Sequence, residues 1–275
     1  MSEPGNPSDP LPSALLRGLG AQLRMLREQR DLTREALGGQ TNFSKSTIGA
    51  FERGERIMDA NTVVEMDKVL AAAGVLAVVA PFLEEERYAP QFRDFARFEA
   101  QAVSLWVYDT HMVNGLLQTA DYARTVFAAH CPPVDEEEVE RRVTARLARQ
   151  ALLGRRPLPL LCFVIEESVL LRRTGGERVW REQLLQLVEI GRLPHVRIQV
   201  VPLNCEEPVG SVGPMTLVEA PERRMLGYVE VQEWGTLISK RESVSAMVQR
   251  HASIRGMALN PSASARLIER LAGEQ

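Results

Sequence analysis

The sequence predicts a mainly helical protein in two parts. A small all-helical domain comes first, followed by an α+β body with a small, mostly antiparallel sheet. Three observations predict this. Two helix starts with the same capping grammar stand eleven residues apart, at Thr33 and Ser44. Beyond residue 157, short apolar runs bounded by proline and glycine alternate with stretches of helical periodicity. A chain of 275 residues also exceeds one typical domain. The expected boundaries are a disordered polar tail over 1–14, a helical domain over 15–83, and the body over 84–275, opening on Glu84-Glu85-Glu86.

In the first domain, Leu19, Leu23 and Leu26 mark the buried stripe of an opening helix, with Arg17, Arg24 and Arg27 facing elsewhere. Asp31 stands at the turn, where aspartate tolerates a left-handed backbone. Thr33 is the N-cap of a second helix, and Leu32 and Leu37 form a hydrophobic staple. Ser44 repeats this, with Phe43 and Ile48 as the staple. The corner between, Thr41-Asn42-Phe43, uses Asn42 for a left-handed residue. In the helix after Ser44, Ile48 and Phe51 point inward. Lys45, Ser46, Gly49 and Ala50 fall on the outward face, with Arg53 at its far end. A fourth helix buries Val63, Met66, Leu70 and Ala73. The apolar run Leu70–Leu83 contains Gly74 and Pro81 and is too short to span a bilayer, so it reads as a helix end and hairpin.

In the body, a long helix over Asp135–Leu153 carries acids in its first turns and arginines in its last, complementing the helix dipole. Glu137–Arg141 and Glu138–Arg142 are spaced to pair. Leu160–Ile165 is a continuous apolar strand, and Val196–Val200 alternates as a half-buried one. Met215–Val218 and Leu226–Val231 form an antiparallel pair around Pro221–Arg224. A helix over Glu177–Ile190 follows Gly175-Gly176. Two helices close the chain, Glu242–Met257 and Pro261–Leu271, the last capped by Asn260 with Pro261 in its first position.

Composition narrows the function classes. The net charge is −3, which argues against a non-specific nucleic-acid coat. Between Arg17 and Arg56, eight basic residues outnumber five acidic ones, so that segment is +3 and the remainder −6. A weakly basic module on an acidic body suits sequence-specific DNA binding. Lysine occurs only at 45, 68 and 240, which makes Lys45 conspicuous on a reading face. Cys131, Cys162 and Cys205 form no paired motif and read as small buried hydrophobes in a reducing compartment. With no signal peptide visible, a cytoplasmic location is expected. No nucleophile elbow, phosphate loop, zinc-protease motif or dinucleotide fingerprint is present, and His111, His130, His195 and His251 are scattered. No enzyme, cofactor or metal is expected. Glu166-Glu167 reads as the solvated start of a helix. Trp106, Trp180 and Trp234 are candidates for core or for a pocket.

The stretch Leu32–Gly54, LTREALGGQTNFSKSTIGAFERG, resembles the lambda-repressor-like, or xenobiotic-response-element, family of helix-turn-helix regulators. The matching positions are Leu32, Thr33, Glu35, Leu37, Ser44, Ser46, Ile48, Glu52, Arg53 and Gly54. The resemblance implies a DNA-binding face made of Arg34, Ser44, Lys45, Ser46, Thr47, Ala50 and Arg53. Lys45, Ser46 and Ala50 would face bases, and Arg34 and Arg53 phosphates. Arg34 and Gly38 stand where the family commonly has glutamine and alanine. A second set of motifs is GLLQTADYAR (115–124), RVTARLARQALL (142–153), VIEESVLLRRTGG (164–176), REQLLQL (181–187) and YVE (228–230). It resembles the antitoxin-like effector domain of actinobacterial helix-turn-helix regulators, which are often encoded beside a small partner protein. Asn114 stands where that family usually has proline.

The expected function is therefore a transcriptional regulator that binds double-stranded operator DNA as a homodimer. One recognition helix reads few bases, so affinity calls for two half-sites about 34–36 Å apart. The resemblance implies modulation of the body by a small partner protein. The alternative expectation is a small-molecule sensor with a pocket near 203–214, because the loop LNCEEPVGSVGP is long and rich in glycine and proline.

Overall fold

A computed structural model describes residues 13–83, 90–207, 210–231 and 234–273. The chain divides into two compact units, Met1–Ala89 and Pro90–Gln275. The expected tail over 1–12 and the acidic opening of the body at 84–86 lie outside the described residues.

The first unit is helical: α1 (Ala14–Gln29), α2 (Arg34–Thr41), α3 (Lys45–Arg53), α4 (Ala60–Val69), a 3₁₀ turn over Ala77–Val79 and α5 (Ala80–Leu83). Leu19, Leu23, Leu37, Ile48, Phe51, Val63 and Met66 form one buried core. Asp31 takes φ 54°, so the chain turns there as the sequence predicts. Two expectations change. The run Leu70–Leu83 is no hairpin. Asp67 accepts from the N–H groups of Gly74 (2.8 Å), Leu76 (2.8 Å) and Ala77 (3.2 Å), which holds it as a loop leading into the 3₁₀ turn. Those three donors hold the Asp67 carboxyl below its ordinary range despite its desolvation. The helix ends at Val69, so Ala73 is exposed at φ 53° and Ala72 is buried instead.

The second unit begins with α6 (Pro90–Ala100) and holds a six-stranded mixed sheet. The strands are β1 (Ser104–Asp109), β2 (Leu160–Glu166), β3 (Val196–Val201), β4 (Met215–Glu219), β5 (Met225–Val231) and β6 (Trp234–Ile238). Their order across the sheet is β3-β2-β1-β4-β5-β6. β1–β2 and β2–β3 are parallel, and the other three pairings are antiparallel. The helices are α7 (Ala120–Ala128), α8 (Glu136–Ala148), α9 (Glu167–Leu171), α10 (Gly176–Gly191), α11 (Arg241–Met257) and α12 (Pro261–Gly273).

Both faces of the sheet are covered. On one face Leu105, Val107, Phe163, Ile165, Ile198 and Val200 pack with residues of α10 and α12, such as Leu184, Leu187 and Ile268. On the other, Tyr108, Val164, Val201 and Leu217 pack with Val244, Met247 and Ile254 of α11. A strand covered on two sides reads as a continuous apolar run, which explains Leu160–Ile165. The same cover corrects the reading of β3 as half-buried. Gln199 is buried, donating to the Leu259 carbonyl (2.9 Å) and accepting from Arg255 Nε (3.1 Å).

Other local expectations change in detail. The long helix ends at Ala148 and continues as a 3₁₀ segment over Arg149–Gly154. Glu138 pairs with Arg142, as the spacing predicts, and takes Arg141 as well, each at 2.6 Å. Cys162 alone is a buried hydrophobe, while Cys131 is exposed and Cys205 half-buried. Trp180 is core, donating to the Leu170 carbonyl at 2.6 Å, whereas Trp234 is 80% exposed.

Candidate nucleic-acid interface

α2 and α3 meet at a tight corner whose parts each follow from the sequence. Thr33 Oγ1 accepts from the Ala36 N–H (3.1 Å), and Ser44 Oγ from the Thr47 N–H (3.1 Å). Caps of this kind contribute about 0.5–2 kcal/mol each. Asn42 ends α2 at φ 57°, ψ 29°, and the Phe43 N–H returns to the Gly38 carbonyl at 3.0 Å. A Cβ on Gly38 would run into the Phe43 carbonyl oxygen, so an alanine there would open the corner. Phe43 packs edge-on against Phe51, with centroids 5.3 Å apart, and Leu37 and Ile48 are fully buried.

The three helices are tied by a buried carboxylate. Glu52 accepts from Arg27 Nε through Oε1 (2.5 Å) and from Arg34 Nε through Oε2 (2.7 Å). Arg27 also donates to the Leu32 carbonyl (2.7 Å) at the α1–α2 turn. The Glu52 side chain is 1% exposed and that of Arg27 9%. The hydrogen bond to Glu52 raises the Arg27 guanidinium above its already high ordinary value. Arg27 therefore does not face solvent as expected; it is drawn inward by a carboxylate 25 residues away. The signal was present in the sequence, since Ile48, Phe51 and Glu52 share one helical face. Gly20 is a second feature not read from the sequence. A Cβ there would lie 2.6 Å from the carbonyl oxygens of Phe51 and Glu52, so α1 meets the end of α3 backbone to backbone.

On the outer side, Lys45 and Ser46 are exposed at the start of α3, and Thr47 and Ala50 are half-buried. The hydroxyls of Ser44, Ser46 and Thr47 cluster around Ser44 Oγ, at 2.8 and 2.9 Å. Arg53 is exposed at the far end of α3 and pairs with Glu55 (2.7 Å), holding the Glu55 carboxyl below its usual range. Arg34 is half-buried, with its side chain 36% exposed. Gly49 is corrected from outward to buried. The Arg53 guanidinium lies 3.1 Å, and that of Arg34 3.9 Å, from where its Cβ would be. The missing side chain lets both arginines lie over the middle of α3. Because Glu52 and Glu55 are spoken for by these arginines, the face carries less free positive charge than its arginine count suggests. Lys45 has no ion pair among the described residues.

The other candidates lie in the second unit. Glu166 ends β2 and accepts from the Tyr108 hydroxyl at 2.5 Å, while Glu167 opens α9 and accepts from the Leu203 N–H at 2.8 Å. The described residues of the 203–214 loop border a cleft of about 450 Å³. Among the described residues no three His, Cys, Asp or Glu side chains gather as a metal ion would require, and no helix is long and apolar enough to cross a membrane.

No curated protein and no solved structure matches the chain. Residues 18–78 match the family model described as a helix-turn-helix domain, which supports a DNA-binding transcriptional regulator. Residues 92–270 match the model described as a domain of unknown function (DUF5753), and the chain belongs to that family.

Proposed function

We propose that this protein is a sequence-specific transcriptional regulator of the xenobiotic-response-element type, binding operator DNA as a homodimer in the cytoplasm. In this reading α3 enters the major groove by its amino-terminal end. Lys45 donates to guanine O6 or N7, Ser46 and Thr47 exchange their hydroxyl contacts with Ser44 for base or phosphate oxygens, and the Ala50 methyl touches a thymine. Ser44, Arg34 and Arg53 contact phosphates, Arg34 from the first position of α2, where backbone N–H groups already favour an anion.

The observation that carries the reading is the exposed Lys45 at the start of a capped α3, with Glu52 holding that helix from behind. The body, by the motifs at 115–124, 142–153 and 164–176, is antitoxin-like and takes a small partner protein encoded nearby. Partner binding regulates if it favours one arrangement of the DNA-binding domains over another. The helical domain over 15–83 is the reader, and the body over 84–275 supplies the dimer contact.

Fluorescence anisotropy on the DNA flanking the gene tests this. Lys45→Ala should weaken specific binding by about 1–3 kcal/mol while leaving non-specific binding nearly unchanged. Equal loss on all sequences, or none, would mean that another face reads the bases.

A further inference from the structure

β1, β2 and β3 run parallel, and open sheets containing parallel strands bind ligands outside the carboxyl ends of those strands. In this sheet the order reverses at β1, whose neighbours are β2 on one side and β4 on the other. The cleft of about 450 Å³ opens at that point, within the volume range of small-molecule sites. Tyr108 and Thr110 reach it from the end of β1, Glu166 and Ser168 from the end of β2, and Val201 from the end of β3. Ile254 and Met257 in the last turns of α11 form one wall, and Glu207, Gly210 and Ser211 lie on the opposite rim. Gly210 sits so close to Tyr108 that a Cβ would collide with the phenol oxygen.

The lining decides the ligand chemistry. Its ionisable carboxylates are Glu166 and Glu207, and no lysine or arginine borders it. Tyr108 occupies only Oε1 of Glu166; Oε2 has no donor among the described residues. Phosphates and carboxylates would meet like charge there with no lysine or arginine to neutralise them; the remaining basic group on the lining is His111, whose Nδ1 is engaged by the Thr110 hydroxyl at 2.7 Å. A metal ion lacks its ligand set. Val201, Ile254 and Met257 offer apolar surface to a carbon skeleton, and Thr110, Ser168 and Ser211 offer hydroxyls.

We propose that this cleft binds a small organic cation, an amine with a short apolar body, whose ammonium group donates to Glu166 and Glu207. The occupant stacks its carbon frame on the α11 wall. Tyr108 positions the Glu166 carboxylate by its hydrogen bond, which also keeps the phenol protonated: desolvation and the neighbouring carboxylate both push its pKa up.

Calorimetric titration of the full-length protein with phenethylamine, tyramine and spermidine, and with 3-phenylpropanoate as the anionic counterpart, tests the proposal. At least one amine should bind with millimolar or tighter affinity and raise Tm, and the carboxylate should not. Glu166→Gln keeps an acceptor for Tyr108 and removes the charge. It should weaken amine binding about tenfold with the unliganded Tm unchanged. Glu207→Gln, on the exposed rim, carries the same test if Glu166→Gln fails to fold. Binding of amine and carboxylate alike, binding of no amine at millimolar concentration, or full affinity in the charge-neutral variants would overturn it. The titration contains no DNA, so operator binding by the same preparations is decided separately.

Discussion

Two carboxylates withdrawn from water, the buried Glu52 in the first unit and the half-buried Asp109 in the second, are handled in opposite ways. Glu52 in the first unit is gripped by Arg27 and Arg34 and joins α1, α2 and α3. Asp109, at the end of β1 in the second, has one long contact from Asn114 Nδ2 (3.5 Å), and its buried Oδ2 has no hydrogen-bond partner. Burial pushes its acid up to about 7. A carboxylate with two guanidiniums can stay charged in a core; one without them lowers its cost by taking a proton. The first organises helices, and the second makes the stability of its unit depend on pH.

The largest test removes the organiser. Glu52→Ala leaves the buried Arg27 with only the Leu32 carbonyl and the exposed Glu28 as partners, and should destabilise the first unit by about 3 kcal/mol. Far-UV circular dichroism in urea reports this, because Trp106, Trp180 and Trp234 all lie beyond that unit. A loss below ~1 kcal/mol would remove Glu52 from its place as the helix tie.

Asp109→Asn should act with the opposite sign. The folded state favours the protonated acid, so the wild-type carboxyl costs nothing below its unfolded value near 4 and progressively more as pH rises to about 7. The variant should therefore match wild type in Tm near pH 4, gain steadily above it, and hold a constant advantage beyond about pH 7–8. The gap is on the order of a few kcal/mol at most. A pH-independent difference would mean that Asp109 does not titrate in this range.

The smallest effect sharpens the first side of the comparison. Arg34→Ala removes the partly exposed member of the Glu52 pair, which screening reduces to about 1 kcal/mol of stability. If Arg34 also contacts phosphate, the same change flattens the salt dependence of operator binding by about one ion. Lost stability with an unchanged salt slope would make Arg34 structural only.

What was legible in the sequence follows the range of the forces involved. Thr33, Asn42, Ser44 and Asn260 act on groups within four residues of themselves, so caps and corners could be read directly. The Arg27–Glu52 pair spans 25 residues; the spacing puts Arg27 four residues after Leu23, on the buried face, but which carboxylate meets it there depends on how α3 packs on α1. The central strand β1 was missed altogether. Ser104–Asp109 is short, and only its pairing with Leu160–Ile165 and Met215–Glu219 makes it the middle of the sheet. On the candidate reading face, Lys45 and Ser46 were placed outward by periodicity, and the structure has them exposed. Gly49 was misplaced because its cover comes from two long side chains, Arg53 folding back from one turn on in α3 and Arg34 reaching over from α2. The 203–214 loop stood out by composition, but the cleft beside it depends on strand ends gathered from three distant segments.

The close approach of α1 to α3 has a consequence for how α3, reading DNA as proposed, would change its target. Gly20 meets the carbonyls of Phe51 and Glu52, and a Cβ on Gly54 would lie 2.9 Å from the backbone of Leu16. The bearing of α3 is thus set by main chain against main chain, at its rear end. The side chains at 45, 46 and 50 take no part in that seat. If they read bases as proposed, they could be rewritten for a new base sequence while α3 keeps its bearing, which would make specificity and scaffold separable in this unit.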